Sequence, residues 1–251
     1  MAHPMKISVI TCTLNSERYI DRAIHSVDSQ TYPFVEHVFV DGGSSDSTRQ
    51  KISELAGALL FEDSGSGIAA AMNIGAAEAS GDILAYLHSD DYYLSEHILE
   101  EVVNIFQYEK CEWLYGRIIN DIEGRIERPK FSVSNYSKAR LARRNFIPHP
   151  ATFVRKDVFH RIGGFSEKFR YAMDYDLWLK LAESSAPRFF DKEVAAFRRH
   201  PESLSTANPL ATLEEEYHVR KQFYGGRPLH LLESYIRYRY RRRKISQAIK
   251  N

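Results

Sequence analysis

The chain has 251 residues, 43% of them hydrophobic, with 34 basic and 33 acidic side chains. This length and hydrophobic content suffice for one large core with a small appendage, and the balanced charge argues against a general nucleic-acid binder. Two cysteines cannot build a disulfide framework, which favours a reducing compartment. No secretory leader and no apolar run of about 20 residues is apparent. We therefore expect a cytoplasmic protein, either soluble or attached to the inner membrane surface.

In chain order, the first 91 residues alternate between short apolar, β-branched runs and segments of helical periodicity. The periodicity predicts strands at residues 6–12, 37–40, 59–61 and 83–87, with helices at about 17–30, 48–55 and 68–79. Such β-α-β-α-β-α-β alternation predicts parallel strands joined by right-handed crossovers. Three of the four strands end in loops of Gly, Ser, Asp or Asn. These loops would share one edge of the sheet, as in a mononucleotide-binding half.

The fourth predicted strand ends in two adjacent carboxylates, Asp90 and Asp91. Two carboxylates side by side favour a nearby cation, because their charges repel. A few solvent-open carboxylate oxygens suit Mg²⁺ or Mn²⁺ held jointly with a phosphate-bearing substrate. The alternative is that an Asp caps a helix that follows. The stretch alone leaves both interpretations open.

Beyond residue 91 the pattern mixes strands and helices. It predicts helices at about 95–108, 135–145, 157–161, 177–183, 210–224 and 229–249, and strands at 113–119, 151–155, 188–191 and 194–198. Asp174 and Asp176 would then precede a helix, where a carboxylate caps the backbone and complements the helix dipole.

Several motifs now form one ordered series. They are ISVIT (7–11) with Asn15, VDGGSSDST (40–48), GIAAAMNIG (67–75), SGD (80–82), HSDD (88–91), and GGF (163–165) followed by MDYDLW (173–178). In this order and spacing they resemble the family 2 glycosyltransferases of the GT-A fold, over about residues 6–205. Each motif alone is weak, but together they are specific.

The resemblance implies an α/β fold with a Rossmann-like, mostly parallel sheet flanked by helices. A catalytic domain would span residues 1–205, with a nucleotide-binding half at about 6–91 and an acceptor half at about 92–205. Residues 206–251 would form a C-terminal helical extension.

The resemblance also implies a reaction, inverting transfer of a sugar from a nucleoside diphosphate sugar, UDP-linked, to an acceptor hydroxyl. Mn²⁺ or Mg²⁺ would assist, and the acceptor would be a saccharide or a lipid-linked saccharide in bacterial surface polysaccharide synthesis. Family position assigns the general base to Asp174, a metal ligand to Asp91, the late His over metal and diphosphate to His200, and an acceptor contact to His149. The donor-binding residues would be Thr11, Asn15, Asp41, Gly67, Asn73 and Asp90.

At three positions the chain departs from the family motif or allows a second interpretation. Gly42 stands where many family members have a second Asp, so a base contact from that position is absent. His88 stands where some members have an Asp; a structural or supporting role is favoured over metal ligation. Asp174 and Asp176 could both be simple helix caps, but with the family pattern we assign the base to Asp174 and capping to Asp176.

The basic tail is a separate feature. Residues 227–251 contain eight basic side chains and one acidic one, on an otherwise acidic chain. Residues 237–244 interleave Tyr with Arg, and apolar residues flank them. Such a helix fits an anionic membrane surface. It equally fits a packing helix or a homodimer contact with a solvated basic face.

Two other functions compete with glycosyl transfer. A sugar nucleotidyltransferase shares the sheet and the metal chemistry, but it needs a Gly-rich loop with Arg and Lys after the first strand, where this chain has Thr13-Leu14-Asn15-Ser16. A non-catalytic nucleotide-binding scaffold is disfavoured by the presence of Asp90, Asp91 and Asp174. Neither Gly-rich loop fits a dehydrogenase or P-loop pattern.

Overall fold

The structure, a computed structural model, describes residues 4–63, 65–129, 133–201, 203 and 207–250. The strands are β1 Ile7–Thr13, β2 Val35–Asp41, β3 Leu59–Glu62, β4 Ile83–Tyr86, β5 Tyr92–Tyr93, β6 Trp113–Ile122, β7 Arg125–Glu127, β8 Thr152–Arg155 and β9 Arg188–Arg198. The helices are α1 Ile20–Asp28, α2 Thr48–Ser53, α3 Ile68–Glu78, α4 Ile98–Glu109, α5 Lys138–Leu141, α6 Lys156–Arg161, α7 Met173–Ser184, α8 Pro209–Tyr224 and α9 Pro228–Lys250. One 3-10 turn, His149–Ala151, precedes β8.

Within the described residues, one mixed sheet runs in the order β3-β2-β1-β4-β8-β6-β9-β5, with β7 paired to β6. The first four strands are parallel, as the alternating pattern predicts. β8 is antiparallel to β4 and β6, and β6 is parallel to β9. The predicted α/β fold with flanking helices is confirmed, and its purely parallel part coincides with the half that the sequence predicts to bind nucleotide.

The sheet is buried on both faces, which explains the near-continuous apolar strands. Alternate residues of β1 and β4 point to opposite sides. Ile10 and Leu84 pack into the cluster that contains α3 and α7. Val9 and Ala85 pack into the cluster that contains α4.

Several element boundaries differ from prediction. The two short strands predicted at 188–191 and 194–198 are one strand, β9, which contains a register shift opposite β6. The basic segment 135–145 is helical only over Lys138–Leu141. The predicted domain boundary at residues 205 and 206 lies outside the described residues.

Two capping interpretations are wrong. The segment after Asp91 is a short strand, β5, and the next helix begins at Ile98, so the carboxylate pair caps no helix. Helix α7 begins at Met173, which places Asp176 inside its first turn rather than before it. Asp176 is fully buried and pairs with Lys180 one turn later, at 2.7 Å.

Both cysteines are free. Cys12 is half-buried and packs against the main hydrophobic cluster. In the described chain, no helix combines the length and the apolar character that crossing a membrane requires.

Helix α3 lies so close to β1 and β2 that its middle position has to be glycine. A Cβ at Gly75 would stand 2.5 Å from Cγ2 of Ile10 and 3.3 Å from Cγ2 of Val40. We predict that Gly75→Ala lowers the free energy of unfolding by about 1–3 kcal/mol in urea denaturation, through overpacking. Gly226→Ala is the control, because a Cβ there meets no described atom within 4 Å. Equal stability of the two variants would contradict the packing of α3.

Candidate functional site

Asp41 and the loops after β1 and β4 lie at the carboxyl ends of the parallel strands, where ligands bind in open α/β sheets. Thr13, the last residue of β1, is in register with Asp41, the last of β2. On the other side of β1, Ile10 is in register with Tyr86 of β4, so the chain after β4 emerges beside them. The register therefore brings Asp41 and the Asp90–Asp91 pair to one edge of the sheet.

Asp41 organises the loop that follows β2. Its carboxylate accepts hydrogen bonds from the Thr13 hydroxyl (2.8 Å), the Ser44 hydroxyl (2.5 Å) and the backbone N–H groups of Gly43 (3.1 Å) and Ser44 (2.8 Å). Burial alone would raise the pKa of Asp41, but these hydrogen bonds hold it below its usual value. The carboxylate is thus ionised and committed to the loop, so any donor contact must be made alongside these bonds.

Asn15 joins the loop after β1 to the loop after β2. Its Oδ1 accepts the Ser45 N–H at 2.9 Å, and its own N–H donates to the Ser44 hydroxyl at 2.8 Å. Asn15 has a φ of 50°, in the left-handed region that Asn tolerates better than most residues. This exposed position lies at the mouth of the predicted donor site.

Thr11 and Asn73, both predicted donor ligands, hold the scaffold instead. Thr11 is fully buried, and its hydroxyl donates to the Leu87 carbonyl at 2.8 Å. The amide of Asn73 donates to the Phe165 carbonyl (2.9 Å) and accepts the Phe165 N–H (3.0 Å). Their polar atoms are therefore occupied, and this geometry argues against direct donor contact. Gly67 is the N-cap of α3, with a φ of 97°, and a Cβ there would meet no described atom within 4 Å.

Asp90 and Asp91 have different surroundings. Asp90 Oδ2 lies 2.9 Å from His200 Nε2. Burial opposes ionisation of Asp90, but His200, with help from His88, holds its pKa below the usual value. Asp91 Oδ1 accepts the Arg198 N–H at 2.9 Å. Burial and the neighbouring Asp90 raise the pKa of Asp91 well above normal.

The second oxygen of Asp91 supplies the test for a metal site. This Oδ2 is buried and has no hydrogen-bond partner among the described residues, an arrangement that is costly unless a cation or donor completes it. No group of three or more ligating side chains is present in the described part of the chain. His200 Nε2 is taken by Asp90, although its Nδ1 is unpartnered there. The residues fit a cation held by Asp91 and completed by oxygen atoms of a phosphate-bearing ligand.

His88 and His149 form a stacked pair. Their ring centroids lie 4.7 Å apart, with the planes inclined by 5°. Burial lowers the pKa of both rings, and that of His149 falls well below normal. His149 also lies near Trp178 of α7, at 6.1 Å between centroids. His88 thus has a packing role in this structure. The two stacked rings connect the segment of Asp90 and Asp91 to helix α7.

Asp174 sits on the first turn of α7 and is half-buried. Its carboxylate accepts hydrogen bonds from Asn145 Nδ2 (2.9 Å) and the Tyr175 N–H (2.6 Å). Burial raises its pKa to about 6, and the nearby Glu216 charge adds to the rise, while the two hydrogen bonds oppose it. A carboxylate with a pKa near neutrality can both accept and release a proton under physiological conditions.

The support of α7 comes from a residue that no sequence motif indicates. Glu215, on α8, accepts the backbone N–H groups of Arg170 (3.1 Å), Tyr171 (2.6 Å) and Ala172 (3.0 Å). These three groups lie just before the first turn of α7, so Glu215 fixes the segment that carries Asp174. The sequence contains no local signal for this contact, because the partners lie more than 40 positions apart.

A basic cleft of about 580 Å³ opens beside His200. It is lined by Arg18, Tyr19, Arg22, Asp121, Glu123, Gly124, Arg198, Arg199 and His200. Asp121, which the sequence did not single out, is buried and lies 3.3 Å from Arg22 and 3.6 Å from Arg198. The cleft places an excess of cations next to the Asp90–His200 pair, where an anionic ligand would be stabilised.

Comparison with known proteins identifies the family. The model of glycosyl transferase family 2 matches residues 8–165. The chain belongs to this family. An uncharacterised glycosyltransferase of Mycobacterium tuberculosis (strain ATCC 25618 / H37Rv) is 30% identical over 180 residues, covering 70% of this chain and 68% of that protein.

Two further similar proteins are longer than this chain. The chondroitin synthase of Pasteurella multocida is 29% identical over 220 residues, covering 85% of this chain but 22% of the synthase. The crystal structure of S. aureus TarS 1-349 in complex with UDP-GlcNAc superposes with a TM-score of 0.71 at 22% identity, covering 86% of this chain and 64% of that one. This likeness establishes the fold.

We predict that Glu215→Gln loosens the start of α7. Glutamine offers one acceptor oxygen and an N–H₂ group that opposes the backbone donors, so part-buried backbone N–H groups lose their partners. The free energy of unfolding should fall by about 1–3 kcal/mol in denaturant titration. The control is Glu214→Gln, at an exposed neighbouring position. A loss of the same size in the control would refute the specific role of Glu215.

Proposed function

We propose that this family 2 glycosyltransferase moves a sugar, with inversion, from a UDP-linked donor to an acceptor hydroxyl. The observation that carries the proposal is the presence of carboxylates at two separate but connected positions. Asp90 and Asp91 lie at the sheet edge, and Asp174, with a pKa of about 6, lies on a separate helix linked to that edge through His149 and His88. TarS, the fold relative in complex with UDP-GlcNAc, supports the choice of UDP.

The chemistry follows from the positions of these groups. Asp174, when ionised, accepts the proton of the acceptor hydroxyl as its oxygen attacks the anomeric carbon. The bond between that carbon and the donor phosphate breaks, and the nucleoside diphosphate leaves. With one base and no carboxylate acting as nucleophile, attack from the opposite side inverts the anomeric centre. The arginines beside His200 favour the negative charge of the leaving group.

A divalent cation would complete the donor site. We propose that Asp91 holds Mn²⁺ or Mg²⁺ together with donor oxygens, and that Asp90, held by His200, orients the ribose or the sugar. When bound, the cation supplies charge neutralisation for the diphosphate. We keep His149 as the acceptor-side contact and assign Asn15 and the Asp41 loop to the nucleotide side.

We propose that the acceptor is a growing saccharide or a lipid-linked saccharide, and that the protein works at the inner surface of the cytoplasmic membrane. The chondroitin and hyaluronan synthases of Pasteurella multocida among the relatives support a polysaccharide product. Family membership also favours sugar transfer over nucleotidyl transfer.

A donor screen with matched variants tests the assignments. UDP-, GDP- and dTDP-sugars are incubated with Mn²⁺, Mg²⁺ or a chelator, and nucleoside diphosphate release is measured. Asp174→Asn should lower turnover by about 10²–10⁴-fold, the usual contribution of a general base, with UDP affinity unchanged. Asp91→Ala should weaken metal-dependent UDP binding. The control is Asp157→Asn, an exposed acid on α6. Metal-independent turnover, or full activity in either site variant, would overturn the assignments.

The pH profile provides a second test. Asp174 must be ionised to act as base, so kcat/KM should rise with pH through an apparent pKa of about 6. Asn145→Ala removes a hydrogen bond that stabilises the ionised form, so this limb should move to higher pH. Glu216→Gln removes a repelling charge and should move it to lower pH. Asn104→Ala, at an exposed position of α4, should leave it in place. Shifts of the wrong sign would exclude Asp174 as the titrating base.

A further inference from the structure

Helix α9 uses only one of its faces to pack on the rest of the chain. Ser234 and Tyr238 are buried against α8. The Ser234 hydroxyl accepts a hydrogen bond from Arg220 Nε at 3.0 Å, and Tyr238 stacks on Tyr217 at 4.7 Å. The helix is thus held as the second arm of a hairpin, and its opposite face points to solvent.

That opposite face is apolar along its centre. Leu229, Leu232, Ile236 and Tyr240 are 80%, 57%, 58% and 58% exposed. Their spacing of three, four and four residues places them on one side of a helix. This solvent-facing stripe of α9 is therefore a continuous row of large apolar side chains without cover in the described structure, which is unusual for a surface helix.

Basic side chains flank the stripe. Arg239, Arg243 and Lys244 are exposed, and among the described residues none of them pairs with a carboxylate. Two other arginines of α9 do, Arg237 with Glu233 (3.0 Å) and Arg241 with Glu216 (2.9 Å). Arg239 and Arg243 border the stripe on one side and Lys244 on the other, as their helical spacing requires.

We propose that the solvent-facing stripe of α9 is a membrane-contact surface that lies on an anionic lipid bilayer. The apolar row would enter the boundary between headgroups and acyl chains, while the flanking cations reach lipid phosphates. Charge complementarity favours this occupant over a second copy of the chain. A two-fold contact through the same face would bring its cations against one another.

The hairpin also connects this surface to the acceptor side of the site. Glu233 of α9 pairs with Arg143 at 3.2 Å, and Asn145, two residues further along, donates to Asp174. From α8, Glu215 holds the segment before α7. The contact would therefore bring the bilayer to the end of the molecule that carries Asp174. This orientation rests on the proposed function, because it has a purpose only for a lipid-linked acceptor.

Vesicle co-sedimentation of the full chain tests the surface. The probes are vesicles of phosphatidylcholine alone and of phosphatidylcholine mixed with phosphatidylglycerol. The protein should bind the anionic vesicles, and binding should weaken as salt rises. Arg239→Gln with Arg243→Gln should lower the partition coefficient by roughly 10- to 30-fold, since each basic residue near an anionic surface contributes about fivefold. Leu232→Ser with Ile236→Ser should also lower binding strongly.

The matched controls remove the same number of basic or apolar side chains from surfaces outside α9. Arg125→Gln with Arg128→Gln removes two exposed cations, and Tyr108→Ser with Ile126→Ser removes two exposed apolar side chains. Both should bind vesicles like the unmodified chain. Equal loss in the controls, no binding to anionic vesicles, or equal binding to neutral ones would overturn the proposal. So would a dimer in sedimentation velocity that Leu232→Ser with Ile236→Ser dissolves without any vesicle binding.

Donor hydrolysis separates this inference from the proposed function. The α9 variants leave the site residues untouched, so release of UDP from a soluble donor should be unchanged. If the chain binds anionic vesicles but hydrolyses no nucleotide sugar, the proposed function fails and the membrane contact stands. If it hydrolyses donor and ignores vesicles, the membrane contact fails alone.

Discussion

Two adjacent carboxylates, the half-buried Asp90 and the buried Asp91, need compensation for their charges where the two halves of the sheet meet. The compensation comes from the far end of β9 and the residues just after it, which supply the Arg198 N–H and the His200 ring. The contact spans more than 100 residues. These contacts fix the end of β9 next to Asp90 and Asp91, which follow β4. The basic cleft lies beside them. The Oδ2 atom of Asp91 has no hydrogen-bond partner among the described residues, which supports the cation proposed for that position.

The proposed acceptor side, at the start of α7, is supported by contacts from other parts of the chain. Asp174 is held by a local hydrogen bond from Tyr175 and by Asn145, but the helix that bears it is anchored by Glu215 from α8. Burial then raises its pKa toward neutrality. A helix start with a free dipole would keep this carboxylate strongly acidic. Burial outweighs the helix dipole here, and the resulting pKa of about 6 fits a proton-accepting base better than a helix cap.

The helical hairpin serves both the site and its surroundings. Its inner surface braces α7 and completes a satellite cluster of stacked tyrosines, and its outer surface is the apolar stripe with flanking cations. The packing and the membrane interpretations of the basic tail are compatible, because they concern opposite faces of one helix. An orienting contact with a bilayer would then act on a part of the chain that is mechanically joined to Asp174.

Sequence alone determined the parallel half of the fold and its functional edge, because β-branched runs, helical periodicity and Gly-, Ser- and Asp-rich turns act over a few residues. The ordered motifs led to the family, and the Asp90–Asp91 pair stood out since adjacent carboxylates after a strand are hard to explain otherwise. Sequence reasoning has least to say where distant partners decide what a side chain does. Thr11 and Asn73 have the right residue types for donor contacts, but tertiary hydrogen bonds consume them. Only the tertiary structure could reveal Glu215, the His88–His149 stack and the free face of α9, since each depends on which surfaces become neighbours once the chain has folded.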